Sequence, residues 1–576
     1  MQQRKKRQEG VLEMKQTRTF RRSRWTSALP LSLPLLFGTA LTWAQSGNPL
    51  QTLPRVPPAS RPQVPIQIQT PQVGNQDIAS VQVAVRGVNV QGSSAIAFDE
   101  VSALFTPFIN GTHTVGALAQ AAQKVGELYQ QRGFALSFAF LPPQNFADGV
   151  VLVTVVEGYV ANLQLEGDFG RSESGIRELA QPLLHEKPLT TQTFQRQTQL
   201  MARLPGVQIA ASASLPTTTD GATALVIKSK HKPVVVALGG ELRKPTPRII
   251  ASLTLNDPLW AGSQLQLSTM LQKPSKERFS SLGFTQSLNA EGTLARASFS
   301  DYRSFNNPAT HIPGIDDLTR QRKLDFNISH PLILSNRTQL IGTAGLYAIN
   351  YNKELQTNRE YLSNEERVRT LYAQLAWSSF SPQATRSANL LLAHGLNSMG
   401  AQAGLLYQNL NQTLVLPSSV KLDFTRLLME YSQRHRFASK FGAGFAVGGQ
   451  YSRDILPTPE KISFGSNRFG RGYQAGEFSG DSGLGASVEG NYQFVMAHQW
   501  LKSVEPYVLY EWARTHQRTS GLAGNTLRSA SLGLRLSDNR HYSLDLAASK
   551  PMGDRTANNP ERELRYSLLL SYNLDL

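Results

Sequence analysis

The sequence predicts a transmembrane β-barrel of about sixteen antiparallel strands, preceded by two small α+β domains of β-α-α-β-β order. Three observations carry that prediction. Apolar and polar residues alternate in short runs from Val234 to Leu576, the N-terminus has the character of a secretion signal, and a mixed helix and strand pattern occurs twice in between.

The alternation is plainest near the end of the chain. Tyr566, Leu568, Leu570, Tyr572, Leu574 and Leu576 fall on one face, against Arg565, Ser567, Ser571, Asn573 and Asp575 on the other, and Leu569 breaks the rule. Leu324, Phe326 and Ile328 alternate with Lys323, Asp325, Asn327 and Ser329, and Tyr542, Leu544 and Leu546 with Ser543 and Asp545. A two-residue period puts one face in an apolar medium and the other in water. After a secretion signal, such strands are accommodated in lipid by closing on themselves.

Residues 1–44 carry nine Lys or Arg and two Glu, a net of +7 out of the chain's +17. A basic region through Arg24, an apolar stretch from Ala28 to Leu41 and the tripeptide Thr42-Trp43-Ala44 read as a signal peptide ending at residue 44. The apolar stretch is short for a membrane span and contains Pro30 and Pro34. There is no cysteine, which rules out a disulfide framework, an iron–sulfur cluster, a thiolate zinc site and a cysteine nucleophile.

Residues 45–77 form a linker, with seven prolines between 45 and 75 (Pro49, Pro54, Pro57, Pro58, Pro62, Pro65 and Pro71), and are expected to be extended and unburied. The first domain spans 78–158. It reads as a strand over Val81–Val90, a short helix over Phe98–Phe108, a helix capped by Thr114 and ended by Gly133, and strands Phe134–Phe140 and Val150–Val156. The second spans 159–232, with a strand near Val160–Leu165, helices near Ser174–Leu184 and Thr191–Leu204, and strands Val207–Ala213 and Ala222–Ile227. Two copies of one small unit suit peptide handling better than catalysis.

The barrel fills 233–576. Its sixteen expected strands begin near Val234, Arg248, Ser263, Arg278, Thr293, Arg322, Arg337, Arg367, Ala384, Val420, Lys440, Gly483, Ser503, Asn525, Arg540 and Glu563. An even count returns the chain to the side it started from, and sixteen strands leave room for a wet bore.

The segment KISFGSNRFGRGYQAGEFSGDSG, residues 461–483, lies between the eleventh and twelfth expected strands. Its Gly, Ser and Asn content alone is that of an ordinary surface loop. Arg471-Gly472-Tyr473 and Ser479-Gly480-Asp481 within it, together with Gln131-Arg132-Gly133-Phe134, Leu141-Pro142 with Gln144, Asp148-Gly149, Val155-Val156-Glu157-Gly158 and Leu204-Pro205-Gly206-Val207, resemble one family in order and spacing. The chain is similar, from about residue 78 to 576, to the outer-membrane transporters of two-partner secretion, the hemolysin-activator type within the BamA-like superfamily. That resemblance implies two polypeptide-transport-associated (POTRA) domains in the periplasm and a sixteen-strand barrel in the outer membrane of a Gram-negative bacterium. It also implies that Arg471, Gly472, Tyr473, Gly480 and Asp481 form a transport loop folded back into the bore. The arginine would pair with an acidic residue on the thirteenth strand, where this chain has Glu511 in place of the family's usual Asp. Three positions depart from the pattern: Gly470 stands where Val or Ile is common, the chain ends in Leu576 where many barrels end in Phe, and the proline-rich stretch does not suit the plug helix of several relatives.

No phosphate-binding glycine loop, metal-spaced histidines, hydrolase elbow serine or compact basic patch interleaved with aromatics occurs. The expectation is therefore a transport protein, not an enzyme, without cofactor or nucleic acid. The resemblance implies a large secreted partner of TpsA type (an adhesin, hemolysin or contact-dependent toxin), with outer-membrane lipid, periplasmic chaperones and the barrel-assembly machinery as further partners. An insertase of BamA type and a passive porin are the alternatives.

Overall fold

The structure is a computed structural model and describes residues 48–54, 66–69, 79–242, 247–271, 276–306, 314–437, 440–466, 468–519, 524–556 and 559–575. The expected signal peptide, most of the linker and Leu576 lie outside the described residues.

The linker is not merely extended. Pro49–Thr52 forms a 3-10 turn with Pro49 buried, and Ile66–Gln69 forms a strand, β1. Neither needs a core of its own: the turn is held by polar contacts and the strand by its backbone.

In the first unit the expected opening strand is split into β2 (Gln82–Val85) and β3 (Gly87–Gln91). The backbone N–H groups of Arg86 and Gly87 both donate to the Gly149 carbonyl, which turns the chain between them. That bend lets β2 pair with a strand not foreseen, β4 (Gly111–Thr114). Helix α1 (Phe98–Ala103) is shorter than expected and continues as a 3-10 turn at Thr106–Phe108. Helix α2 (Val115–Gln131) starts where Thr114 Oγ1 accepts from the Ala117 N–H at 3.2 Å. Its Leu118, Ala122, Val125 and Tyr129 pack on Val151, Val153 and Val155. Strands β5 (Phe138–Phe140) and β6 (Val150–Val156) complete the unit, with β3 parallel and β5 antiparallel to β6.

Two of the quoted motif residues have direct physical explanations. Glu157 Oε1 accepts from the N–H groups of Ser94 and Ala95 and from the Tyr129 hydroxyl, each at 2.7 Å, and Oε2 accepts from the Ser94 hydroxyl. A side chain on Gly158 would strike the Leu136 carbonyl. Burial alone would raise the Glu157 pKa, but these donors outweigh it and hold the carboxyl below its usual range. A depressed folded pKa stabilises above the unfolded value, about 4.3, and the benefit is lost as pH falls through the folded value. The urea midpoint of this unit, followed by hydrogen exchange in the intact protein, should therefore hold from pH 7 to about 5 and drop below about 4. Glu157→Gln should lower the neutral midpoint and flatten that acid drop.

The second unit repeats the scheme. Strand β7 (Tyr159–Gly167) precedes helices α3 (Glu173–His185) and α4 (Thr191–Ala202), then strands β8 (Val207–Ser214) and β9 (Ala222–His231). Here β7 is parallel and β8 antiparallel to β9. The sheet order is β1-β8-β9-β7, so β1 runs along the free edge of β8. Leu334 of the barrel joins this unit's core, Gln199 donates to Asn336 Oδ1 at 2.6 Å, and Ser172 donates to Asp257 at 3.0 Å. The unit is thus seated on one end of the barrel.

The barrel begins with β10 (Val234–Leu242), β11 (Arg248–Asn256), β12 (Ser263–Met270), β13 (Glu277–Ser287) and β14 (Leu294–Phe305). Strands β15 (Asp316–Leu334), β16 (Thr338–Gln356) and β17 (Glu360–Phe380) are much longer. Next, β18 (Ala384–Gly395) pairs directly with β21 (Thr425–Arg436), while the hairpin β19 (Gln402–Asn409) and β20 (Thr413–Pro417) extends β17. After β22 (Phe441–Ser452), the short pair β23 (Ile462–Phe464) and β24 (Phe478–Gly480) closes the base of the long loop. The wall resumes with β25 (Ser482–Tyr492), the two-residue β26 (Phe494–Val495), β27 (Ser503–His516), β28 (Thr526–Ser537), β29 (Tyr542–Pro551) and β30 (Arg565–Asp575). Pairing of β30 with β10 closes the wall, and sixteen strands form its circuit once the hairpin β19–β20, the loop pair β23–β24 and β26 are set aside. Thirteen start within two residues of the expectation. The sixth, eighth and tenth, expected at Arg322, Arg367 and Val420, start at Asp316, Glu360 and Thr425.

Leu267, Leu282, Phe299 and Leu324 pair in one row around the outside, each at least 40 % exposed. Inward positions are polar and buried, among them Glu241, Glu277, Gln321, Glu366, Gln450, Glu489 and Glu511. Apolar outside and polar inside is the reverse of a soluble barrel and fits a wall set in lipid.

Candidate functional site

The loop between β22 and β25 does not extend away from the barrel but folds into the bore. Its base is the β23–β24 pair, whose Ile462 and Phe464 are fully buried with Tyr473, Ala513 and Leu527. Residues 48–54 lie against the same base: Asn48 Nδ2 donates to the Pro459 carbonyl at 2.7 Å, and Arg468 donates to Gln51 Oε1 at 3.2 Å.

Gly472 brings the loop's backbone onto the wall. A Cβ there would lie 2.8 Å from Pro551 N, closer than real contacts allow, and 3.1 Å from the Lys550 carbonyl carbon. Tyr473 is 2 % exposed, and its hydroxyl accepts from the Gly553 N–H at 2.8 Å and donates to the Asp554 carbonyl at 3.3 Å. Gly480 is as confined, because its Cβ would be 2.7 Å from the His516 carbonyl oxygen. Asp481 is fully buried and accepts from the backbone N–H groups of Leu456 at 2.8 Å and Arg518 at 2.7 Å, with Lys461 Nζ 3.8 Å away. These two residues shape the loop's root, about which Arg471 can be aimed.

Arg471 meets both expected and unexpected partners. Its backbone N–H donates to Glu511 Oε2 at 2.7 Å, and Glu511 also accepts from the Ser529 hydroxyl at 2.8 Å. The guanidinium, however, pairs with Asp545 on β29, Nη2 to Oδ2 at 3.2 Å, and donates to the Tyr507 hydroxyl. Glu511 was expected to be the ion-pair partner, and instead holds the loop's backbone. The reason is reach: with residue 471's N–H on Glu511, its long side chain extends past β27 and β28 to the next carboxylate. Tyr507 in turn donates to Asp545 Oδ1 at 2.6 Å, so the three groups form a closed set.

Several residues here escaped the sequence reading. Arg535 on β28 contacts Glu489 at 2.5 Å, Glu505 at 2.7 Å and Asp545 at 3.4 Å, and lies over the Tyr507 ring at 4.1 Å. Gly533 makes room for that ring, which would overlap any Cβ there. Phe469 supplies the apolar anchor expected one residue later. Its ring covers Gly448 and Gly485, while the Cβ position of Gly470 is 3.1 Å from a Leu527 methyl, which a Val or Ile there would have to displace. The missed signal was available: Glu489, Glu505, Tyr507, Arg535 and Asp545 all lie on strand faces turned toward the bore. A cavity of about 650 Å³ is lined by Arg471, Glu489, Glu511 and Arg535 and by Gln199 and Arg203 at the end of α4.

Residues 83–158 match the description "POTRA domain, ShlB-type", and residues 250–536 match "Haemolysin secretion/activation protein ShlB/FhaC/HecB". The chain belongs to this haemolysin secretion/activation family. The family assignment extends along most of the protein. The heme/hemopexin transporter protein HuxB of Haemophilus influenzae (strain 86-028NP) is 19 % identical over 502 residues, 84 % of this chain and 86 % of that one. The hemolysin transporter protein ShlB of Serratia marcescens is 24 % identical over 426 residues, 69 % of this chain and 70 % of that one. The solved structure of CdiB from Escherichia coli superposes with a TM-score of 0.62 at 19 % identity, covering 87 % of this chain and 93 % of that one. As a family member the protein is an outer-membrane transporter of the two-partner secretion type.

Proposed function

We propose that this transporter passes a large secreted protein, of adhesin, hemolysin or contact-dependent toxin type, through its bore from the periplasm to the cell surface. The observation that carries the reading is a polar bore closed from within by a docked loop, with the second sheet-bearing unit seated at one end. Both α+β units, 78–158 and 159–232, act as POTRA domains, receiving the partner by strand addition at a sheet edge. The loop is the gate, and Arg471, Gly472, Tyr473, Gly480, Asp481 and Glu511 hold it shut. No reaction is catalysed and no cofactor is needed, since folding outside makes passage irreversible. Lipid surrounds the apolar belt, and periplasmic chaperones with the barrel-assembly machinery deliver the chain there after removal of residues 1–44.

An insertase would have to part the wall sideways, and the closing pair β10–β30 is matched over as many residues, eight, as the neighbouring pair β10–β11. Opening it breaks a ladder that a bore-passing substrate leaves intact. The test is co-expression with a large secreted protein of this type, measuring its appearance in the medium. Secretion should persist when Gly239→Cys and Ser571→Cys, which face each other across the closing pair, are cross-linked. It should fail when residues 78–232 are deleted. Loss of secretion on cross-linking would favour lateral opening instead.

A further inference from the structure

Beneath the loop tip two cations share one carboxylate, yet they arrive differently. Arg471 is carried in by the loop, whereas Arg535 belongs to the wall and is gripped by Glu489 and Glu505. Its Nε lies 3.4 Å from Asp545, at the edge of a hydrogen bond, and its guanidinium rests on the face of Tyr507. Arg471 holds the same two groups from the other side, at 3.2 Å for Asp545 and by its bond to the Tyr507 hydroxyl.

If the loop withdrew from a wall carrying Asp545 alone, a nearly buried carboxylate would lose its only cation, which is strongly unfavourable. Arg535 removes that obstacle. We propose that it is a positioning residue that makes loop withdrawal an exchange of cations: as Arg471 leaves, Arg535 closes on Asp545 and Tyr507, and releases them when the loop returns. The planar fork with five donors can serve three carboxylates at once, and a lysine ammonium cannot do so with the same geometry. The inference rests on the proposed gate for what withdrawal accomplishes, but the exchange is a property of the wall and needs no secreted partner.

The chain has no cysteine, so one can be placed where withdrawal would uncover it. Ser529 is fully buried under the loop and donates to Glu511. In Ser529→Cys protein kept full-length in outer-membrane vesicles, the rate of modification by a small charged thiol reagent reports withdrawal. Arg471→Gln in this background should raise the rate. Arg535→Gln should lower it by about fivefold or more, since Asp545 is left with Arg471 as its one remaining partner from this pair and holds it harder. Arg535→Lys should fall between Arg535→Gln and the unmodified wall. Labelling of Arg535→Gln at or above the Ser529→Cys rate would overturn the exchange and make Arg535 a mere support of the dock. Should Arg535→Gln lose the heat-modifiable migration of an assembled barrel, Arg535→Lys decides in its place, and a rate at or above Ser529→Cys again overturns the proposal. Failure here leaves secretion of the partner protein untouched, whereas failure of that secretion would remove the gate reading and leave the labelling result intact.

Discussion

Secretion of the cognate partner should fall at least about tenfold when Arg471 is replaced by alanine, while the barrel still migrates as a folded, heat-modifiable species. Removing one partner of a buried ion pair typically costs about 3–5 kcal/mol, because the other charge is left behind. Here Arg535 remains near Asp545, so the wall survives and the loss falls on the loop. Glu511 would still accept the backbone N–H of residue 471, so the root stays in place while the tip loses its anchor. Protease should then cut within 468–478 in intact cells, where the unaltered loop resists. Normal secretion from the alanine variant would show that docking through this side chain has no part in transport.

A single methyl group at Gly472 should do comparable damage by another route. The added Cβ would meet backbone atoms of Lys550 and Pro551 at 2.8–3.1 Å, and these end β29, where they pair with Ala530 and Ser529 of β28. Backbone tied into a ladder steps aside less readily than the end of a flexible side chain. Overpacking of this kind costs about 1–3 kcal/mol, and the loop yields before the wall does. Gly472→Ala should therefore expose the loop to protease and lower secretion severalfold without loss of Arg471. The control is Gly490→Ala, where the methyl meets only Val508 Cγ2 at 3.7 Å and both readouts should stay unchanged.

How much of this was legible beforehand depended on what the solvent dictates. Strands facing lipid on one side alternate strictly, and their starts were visible to within two residues at thirteen of sixteen positions. The exceptions are instructive. Residues Asp316–Gln321 and Glu360–Glu366 prolong β15 and β17 beyond the expected starts, and their charged and polar residues read as loop. The hairpin β19–β20 was absorbed into the same apparent loop. In the first unit, β4 is only four residues long and mostly polar, and it exists because β2 bends to meet it.

The site was legible in a different way. Composition alone made 461–483 an ordinary loop, and only the resemblance singled out Arg471, Gly472 and Tyr473. Glu511 could be located by its place on a strand, but the division of labour between it and Asp545 depends on where the backbone of residue 471 lands. No spacing rule encodes that. Asp545 and Arg535 were visible as polar members of alternating runs, and such residues normally face water.

The early strand β1 alters what kind of object the first α+β unit is. It lies at one margin of the second unit's sheet, and β7, which follows the first unit, lies at the other. The first unit, described over residues 79–158, is therefore an excursion between two strands of one sheet, joined to that sheet on both its N-terminal and C-terminal sides. A body held this way can rock but not wander, so its exposed edges stay within a short arc of the channel mouth.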